Sequence, residues 1–94
     1  MKTYARTHLH RLERIVKGFD NHRRIEMMLL LEQEPNLSLS DVSKRLNINI
    51  KTAAEHLRRL AAAGMIIKGH QGVAVQHTLT NRGVTVLVFL KKLE

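Results

Sequence analysis

A mainly α-helical fold closed by one small β-hairpin is what this chain predicts, and three observations lead there. Apolar residues recur at helical spacing through most of residues 5–63. Val73, Val75, His77 and Leu79 then alternate with Ala74, Gln76 and Thr78, a period of two. Between Ser38 and Gly64 two short helices are separated by only Asn47-Ile48-Asn49, and the second is basic on its outer face.

Ala5, Leu9, Leu12, Val16 and Phe19 make one stripe of a first helix, with Arg6, His10, Arg14 and Lys17 opposite. Gly18 is read as its stop, through the left-handed conformation open to glycine. Asp20 or Asn21 caps a second helix running to Glu34, whose apolar residues are Ile25, Met28, Leu29, Leu30 and Leu31. Pro35-Asn36 ends it. Ser40 is read as the N-cap of a third helix reaching Leu46, with Val42 and Leu46 inward. Asn47 suits a left-handed turn, Ile48 plugs the core, and Asn49 caps a fourth helix from Ile50 to Ala63 with Ala53, Leu57 and Leu60 inward. Met65–Lys68 and Val73–Leu79 are the strands, with the turn placed at Gly69–Gly72. Thr80 or Asn81 caps a last helix to Glu94, although Val84–Leu90 also has strong strand propensity.

Ninety-four residues imply one domain, residues 1–94, with the paired helices near 40–64 and the hairpin near 65–79. Aromatic residues are only 3%, so aliphatic side chains must build the core and stacking platforms for single-stranded nucleic acid are scarce. Lys and Arg outnumber Asp and Glu 16 to 8, a formal +8 that attracts polyanions. The absence of cysteine excludes disulfides and thiolate metal sites. Charges interrupt every apolar run near the start, so no signal peptide is expected. The apolar stretch Val84–Leu90 is far shorter than the ~20 residues of a membrane-spanning helix, and a cytoplasmic protein is expected.

The order of four helices, hairpin and helix resembles the winged helix-turn-helix domains of the ArsR and MarR group of transcriptional regulators. The resemblance covers nearly the whole chain. It is carried by Leu37-Ser38-Leu39-Ser40-Asp41-Val42, by Asn47-Ile48-Asn49, and by Leu57 with Leu60. Ala63-Gly64-Met65-Ile66 leading into the hairpin and Leu79-Thr80-Asn81-Arg82-Gly83 after it complete the match. The resemblance implies a double-stranded DNA partner, with the helix 50–63 presented to the major groove.

On the helical wheel Lys51, Glu55, Arg58 and Ala62 point away from the core stripe, with Thr52, Ala54 and Arg59 at its borders. Lys51, Thr52 and Ala54 stand where base edges would be met; Lys51 suits guanine and Glu55 a cytosine amine. Arg58 and Arg59 suit phosphates. Ser40, Lys68, His70 and Gln71 complete the expected DNA-binding set. A solvated helix face is the bland alternative for each residue singly. Glu55 is a departure, because an outward carboxylate repels phosphate and must either read a base or lower non-specific affinity.

Where metal-sensing ArsR-like proteins place cysteines this chain has Ser38 and Ser40, and the last helix holds no histidine, so no metal is expected. No cofactor is called for. No triad, carboxylate pair or phosphate-binding glycine loop stands out, so no enzyme is expected. The last helix is apolar on nearly every side and asks for cover on more than one. A homodimer sharing Leu9, Leu12, Val16, Leu87, Leu90 and Leu93 is expected, with recognition helices about 34 Å apart. Two other readings stay open: a protein-interaction module of the same fold, and a sequence-tolerant DNA- or RNA-coating protein using Lys2, Arg6, Arg11, Arg14, Arg23 and Arg24. The target sequence and any small-molecule effector are not legible.

Overall fold

Five helices and one antiparallel hairpin follow one another in the computed structural model, which describes residues 3–94. They are α1 (Arg6–Phe19), α2 (His22–Gln33), α3 (Leu39–Leu46), α4 (Ile50–Ala62), β1 (Ile66–Gln71), β2 (Ala74–Leu79) and α5 (Asn81–Lys92). Lys2, counted above among the spread cations, lies outside the described residues.

The core is aliphatic, as the composition demanded. Met27, Met28 and Leu31 of α2 meet Val42 of α3, Ala53, Leu57 and Leu60 of α4, Met65, and Leu87 of α5. α2 therefore runs through the middle. It also carries a buried charge: Arg24 is 6% exposed. Its guanidinium donates to the carbonyls of Gly18 (2.8 Å) and Lys17 (3.3 Å), covering the open C-terminal end of α1. It also stands 3.5 Å from Asp20. The residue read as a surface cation is thus a strut, because each guanidinium nitrogen finds a partner.

The caps explain the short helices. Asn21 accepts from the amides of Arg23 and Arg24 at the start of α2. α3 begins two residues earlier than expected: Ser38, not Ser40, is the N-cap. Ser38 and Asp41 form a reciprocal capping box, each side chain accepting the other's backbone N–H at 3.1 Å. Those bonds, led by the Ser38 amide, hold the Asp41 carboxyl below its ordinary range. Asn47 takes φ 53° in the turn, and Asn49 accepts from Lys51 and Thr52 at the start of α4.

Gly18 does not stop α1. It sits inside the helix and is buried where α1 crosses the end of α4, so a Cβ there would overlap the Ala63 side chain. Gly18→Ala should lower stability by about 1–3 kcal/mol, despite the ~1 kcal/mol that alanine's helix propensity returns. Thermal melts of the two proteins check this; equal or higher stability in the variant would contradict the close crossing.

The hairpin is longer in β1 and turns later than expected. The register pairs Gln71 with Ala74, so the turn is Gly72-Val73 rather than Gly69–Gly72. Gly72 has φ +64° in the first central position, where a two-residue turn matches strand twist only with such a residue. His77 is buried and ties the hairpin to the α2–α3 connection. Its backbone amide donates to Leu37 O at 2.8 Å and its Nδ1 to the same carbonyl at 2.9 Å.

The Leu79-Thr80-Asn81-Arg82-Gly83 element locks the far end of the hairpin. Thr80 Oγ1 donates to Gly64 O (2.6 Å) and accepts from the Gly83 amide (3.0 Å). Gly83 packs so closely on the Met65 carbonyl that a side chain would collide with it. Beyond it the Val84–Leu90 stretch is helical, with Leu87 fully buried and Val86 and Leu90 half-buried. That overturns one expectation: Leu87 belongs to the core of its own chain and is closed to a partner subunit.

Candidate nucleic-acid interface

α4 buries one face and offers the other. Ala53, Leu57 and Leu60 are inside, whereas Lys51, Thr52, Glu55, Arg58 and Arg59 are exposed and Ala54 is half-buried between them. The α3–α4 turn holds the helix at its N-terminal end: Ser43 Oγ donates to Ile48 O at 2.7 Å, and Ile48 packs on the core. The first turn of α4 is thus anchored by its cap and by Ile48, leaving Lys51 and Thr52 projecting. Among the residues expected to touch DNA, Ser40 is exposed in the first turn of α3.

In the hairpin Lys68, His70 and Gln71 are all exposed, but they do not share a face. Strand alternation puts Lys68 and His70 on the side of Ile66 and His77, and Gln71 on the other. The hairpin tip instead offers Val73, fully exposed, and Ile67 is exposed along β1. Neither apolar residue stood out in the sequence as a contact, since each reads as ordinary strand.

The charges on α4 are organised among themselves. The Glu55 carboxylate accepts two bonds from Arg58, Nε at 2.8 Å and Nη2 at 2.6 Å, and one from Arg59 Nε at 3.1 Å. Bonds from Arg58 and then Arg59 bring the Glu55 carboxyl down to about 2, and Glu55 in turn raises Arg58. Both arginines stay exposed. Each already has an anion in hand.

Behind this face, His56 Nδ1 accepts from Arg24 Nη1 at 3.2 Å, which assigns the ring proton to Nε2. His56 is half-buried, and its partner is a buried arginine. Burial, then the Arg24 charge, pushes the His56 pKa below its ordinary value. The folded protein consequently binds that proton less readily than the unfolded chain. Stability from this contact is complete above about pH 6.5 and is lost as pH falls through the lowered folded value. Thermal midpoints should be level above neutrality and decline below about pH 6.5, and His56→Gln should remove that part of the decline.

Among the described residues no cluster of histidines and acids is arranged to hold a metal ion. No helix among them is long and apolar enough to cross a membrane. The apolar stripe of α1 is not consumed by the protomer: Leu9, Leu12 and Val16 are 52%, 42% and 51% exposed. Leu93 is exposed as well, and Val84, Val88 and Phe89 of α5 join it as uncovered side chains that were not among the residues assigned to a subunit contact.

The chain is similar to the homodimeric winged helix-turn-helix DNA-binding domain (fragment 1–100) of Mb0332 from Mycobacterium bovis, a possible ArsR-family regulator. The two are 21% identical with a TM-score of 0.80, covering 99% of this chain and 88% of that one. HlyU from Vibrio cholerae is similar at 23% identity and a TM-score of 0.71, with 92% of each chain covered. The multiple antibiotic-resistance repressor MarR from Listeria monocytogenes is similar at 20% identity and a TM-score of 0.67, over 79% of this chain and 51% of that one. These likenesses show the shared fold. No curated protein matches the sequence. Residues 20–67, which contain α2, the helix-turn-helix and the start of the hairpin, match the family described as winged helix-turn-helix DNA-binding, and the chain belongs to that family.

Proposed function

We propose that the protein is a sequence-specific, double-stranded-DNA-binding transcriptional regulator that acts in the cytoplasm as a homodimer, with α4 in the major groove. The observation that carries this reading is the division of α4 into a buried face and an exposed face running from Lys51 to Arg59. Lys51 and Thr52 lie at the end of the helix that enters the groove, and Arg58 and Arg59 lie further along, within reach of phosphates. Membership of a DNA-binding family supports the partner class. The uncovered stripes of α1 and α5 support a second subunit, and the Mycobacterium bovis neighbour is described as homodimeric. Nothing in this reading calls for catalysis or a cofactor.

The coating reading loses part of its basis, since Arg24 is buried and Arg23 is paired with Glu26 at 2.8 Å. Glu55 works against indiscriminate phosphate binding as well. Selection of duplexes from a random pool tests the proposal. The native protein should enrich one motif, a palindrome if dimeric, and Lys51→Ala combined with Arg58→Ala should lose or change it. Equal enrichment of the same motif by the double variant would remove α4 from the reading role.

A further inference from the structure

A second cationic feature lies away from the first turns of α4. A groove of about 520 Å³ opens between α1 and the C-terminal half of α4. Its walls are Arg11, Arg14 and Lys17 from one side and Arg58 and Arg59 from the other, with Arg82 at the α5 end. Its floor is small and apolar, formed by Ile15, Gly18, Ala62 and Ala63. No carboxylate lines it.

Two helices end at this groove, and helix C-termini ordinarily repel anions. Here that field is already countered. Arg24 covers the carbonyls of Lys17 and Gly18, and Arg82 Nη1 donates to Ala63 O at 2.9 Å. The remaining cations are differently occupied. Lys17 stands 3.4 Å from Glu13, and Glu55 holds Arg58 and Arg59. Arg11 and Arg14 pair with no carboxylate among the described residues.

Position separates the floor and the α1 wall of the groove from the DNA surface, whereas Arg58 and Arg59 border both. Ala62 stands eleven positions beyond Lys51, a rise of about 16 Å along the helix, and a recognition helix meets base edges with its N-terminal residues. The floor of the groove therefore stands outside the part of α4 that enters DNA. Arg14 and Lys17 also lie on the side of α1 away from Leu9, Leu12 and Val16, so a dimer formed through that stripe leaves it open.

We propose that this groove binds a phosphorylated small molecule, held by Arg11 and Arg14 from α1 and by Arg58 and Arg59 from α4. Several guanidinium forks converging on one space suit an anion with many oxygens on one centre, which a single carboxylate does not supply. The volume falls within the roughly 300–1,000 Å³ of small-molecule sites, and the apolar floor can take an organic remainder. Glu55 is the internal competitor, since the ligand must draw Arg58 and Arg59 from it.

Inorganic pyrophosphate, titrated into the full chain without DNA at constant ionic strength, tests the site by amide NMR. Saturable shifts are expected around Gly18, Ala62 and Ala63, with a Kd below about 1 mM. Arg11→Ala with Arg14→Ala, two exposed positions, should weaken binding about tenfold or more, and Glu55→Gln should tighten it severalfold. Shifts scattered over the basic surface, or affinities that these variants leave within about twofold of the native value, overturn the proposal. On a selected duplex the Arg11→Ala, Arg14→Ala variant should bind as the native protein does. If it instead loses DNA and pyrophosphate together, these arginines belong to the DNA footprint; the groove proposal then falls while the DNA-binding reading stands. If the native protein takes pyrophosphate as described yet ignores DNA, only the DNA-binding reading falls.

Discussion

Glu55→Gln should make the protein bind random duplex DNA about tenfold more tightly at 0.1 M salt, with a steeper dependence on salt. The native carboxylate accepts three bonds from Arg58 and Arg59 at 2.6–3.1 Å. With its pKa brought down to about 2, it stays ionised throughout the range in which the protein would be studied. A phosphate that recruits either arginine must displace this carboxylate and approach a second negative charge. Glutamine keeps the size and can still accept, but it carries no charge. Two free guanidiniums would each add close to one released counterion, so the slope of log K against log salt should grow by roughly one to two. The selected site should gain less than random DNA, because Glu55 is also a candidate base reader, and the ratio of specific to random affinity should therefore fall. Fluorescence anisotropy titrations of both duplexes at several salt concentrations measure it. An unchanged affinity for random duplex would show that the Glu55 pairing has no bearing on phosphate contact.

For the homodimer proposed above, Leu12→Glu with Val16→Glu should give a monomer and weaken binding to a palindromic site by about a hundredfold, since each half-site then binds alone. Both side chains are about half exposed in the protomer, so the exchange should change the stability of the fold itself by no more than about 0.5 kcal/mol per site. Sedimentation equilibrium at micromolar concentration reads the mass. A monomeric native protein, or a variant that keeps its dimer mass, would remove α1 from the interface. Leu87→Ala makes the contrast. Leu87 is 1% exposed within its own chain, so the substitution should cost about 2–5 kcal/mol of folding stability rather than subunit affinity.

The contrast between Leu12 and Leu87 shows where periodicity stops informing. Both helices announce themselves through apolar spacing, but spacing cannot say which apolar residue a neighbouring helix covers. α5 turns Leu87 toward α2 because Thr80 caps it and Gly83 seats it on the Met65 carbonyl. The N-cap of α3 was legible in principle, because Ser38 and Asp41 have capping-box spacing, whereas Ser40 is an equally good capping residue type by itself. The hairpin turn was displaced for a similar reason. Gly69 and Gly72 are equally permissive as residues, and only cross-strand pairing through Gln71 and Ala74 selects Gly72. In the candidate interface, the outward set on α4 followed from the wheel, whereas the Glu55 clamp depends on side-chain conformations. Arg24 could not be separated from the other cations, because its burial depends on where α1 ends relative to α2 and α4.

Local chemistry, then, determined the helices, the cap at Asn49, a choice of two adjacent caps each for α2 and α5, the hairpin, and the basic outward face of α4. Spacing and capping act within a few residues, so they survive reading in one dimension. Tertiary structure decided that Gly18 is a crossing point, that Arg24 and His56 are coupled, that Leu87 is interior while Leu9, Leu12 and Val16 remain open, and that arginines from α1 and α4 face a common groove. Each of these joins groups distant along the chain, and their energies arise from burial and charge proximity that exist only once the helices have packed.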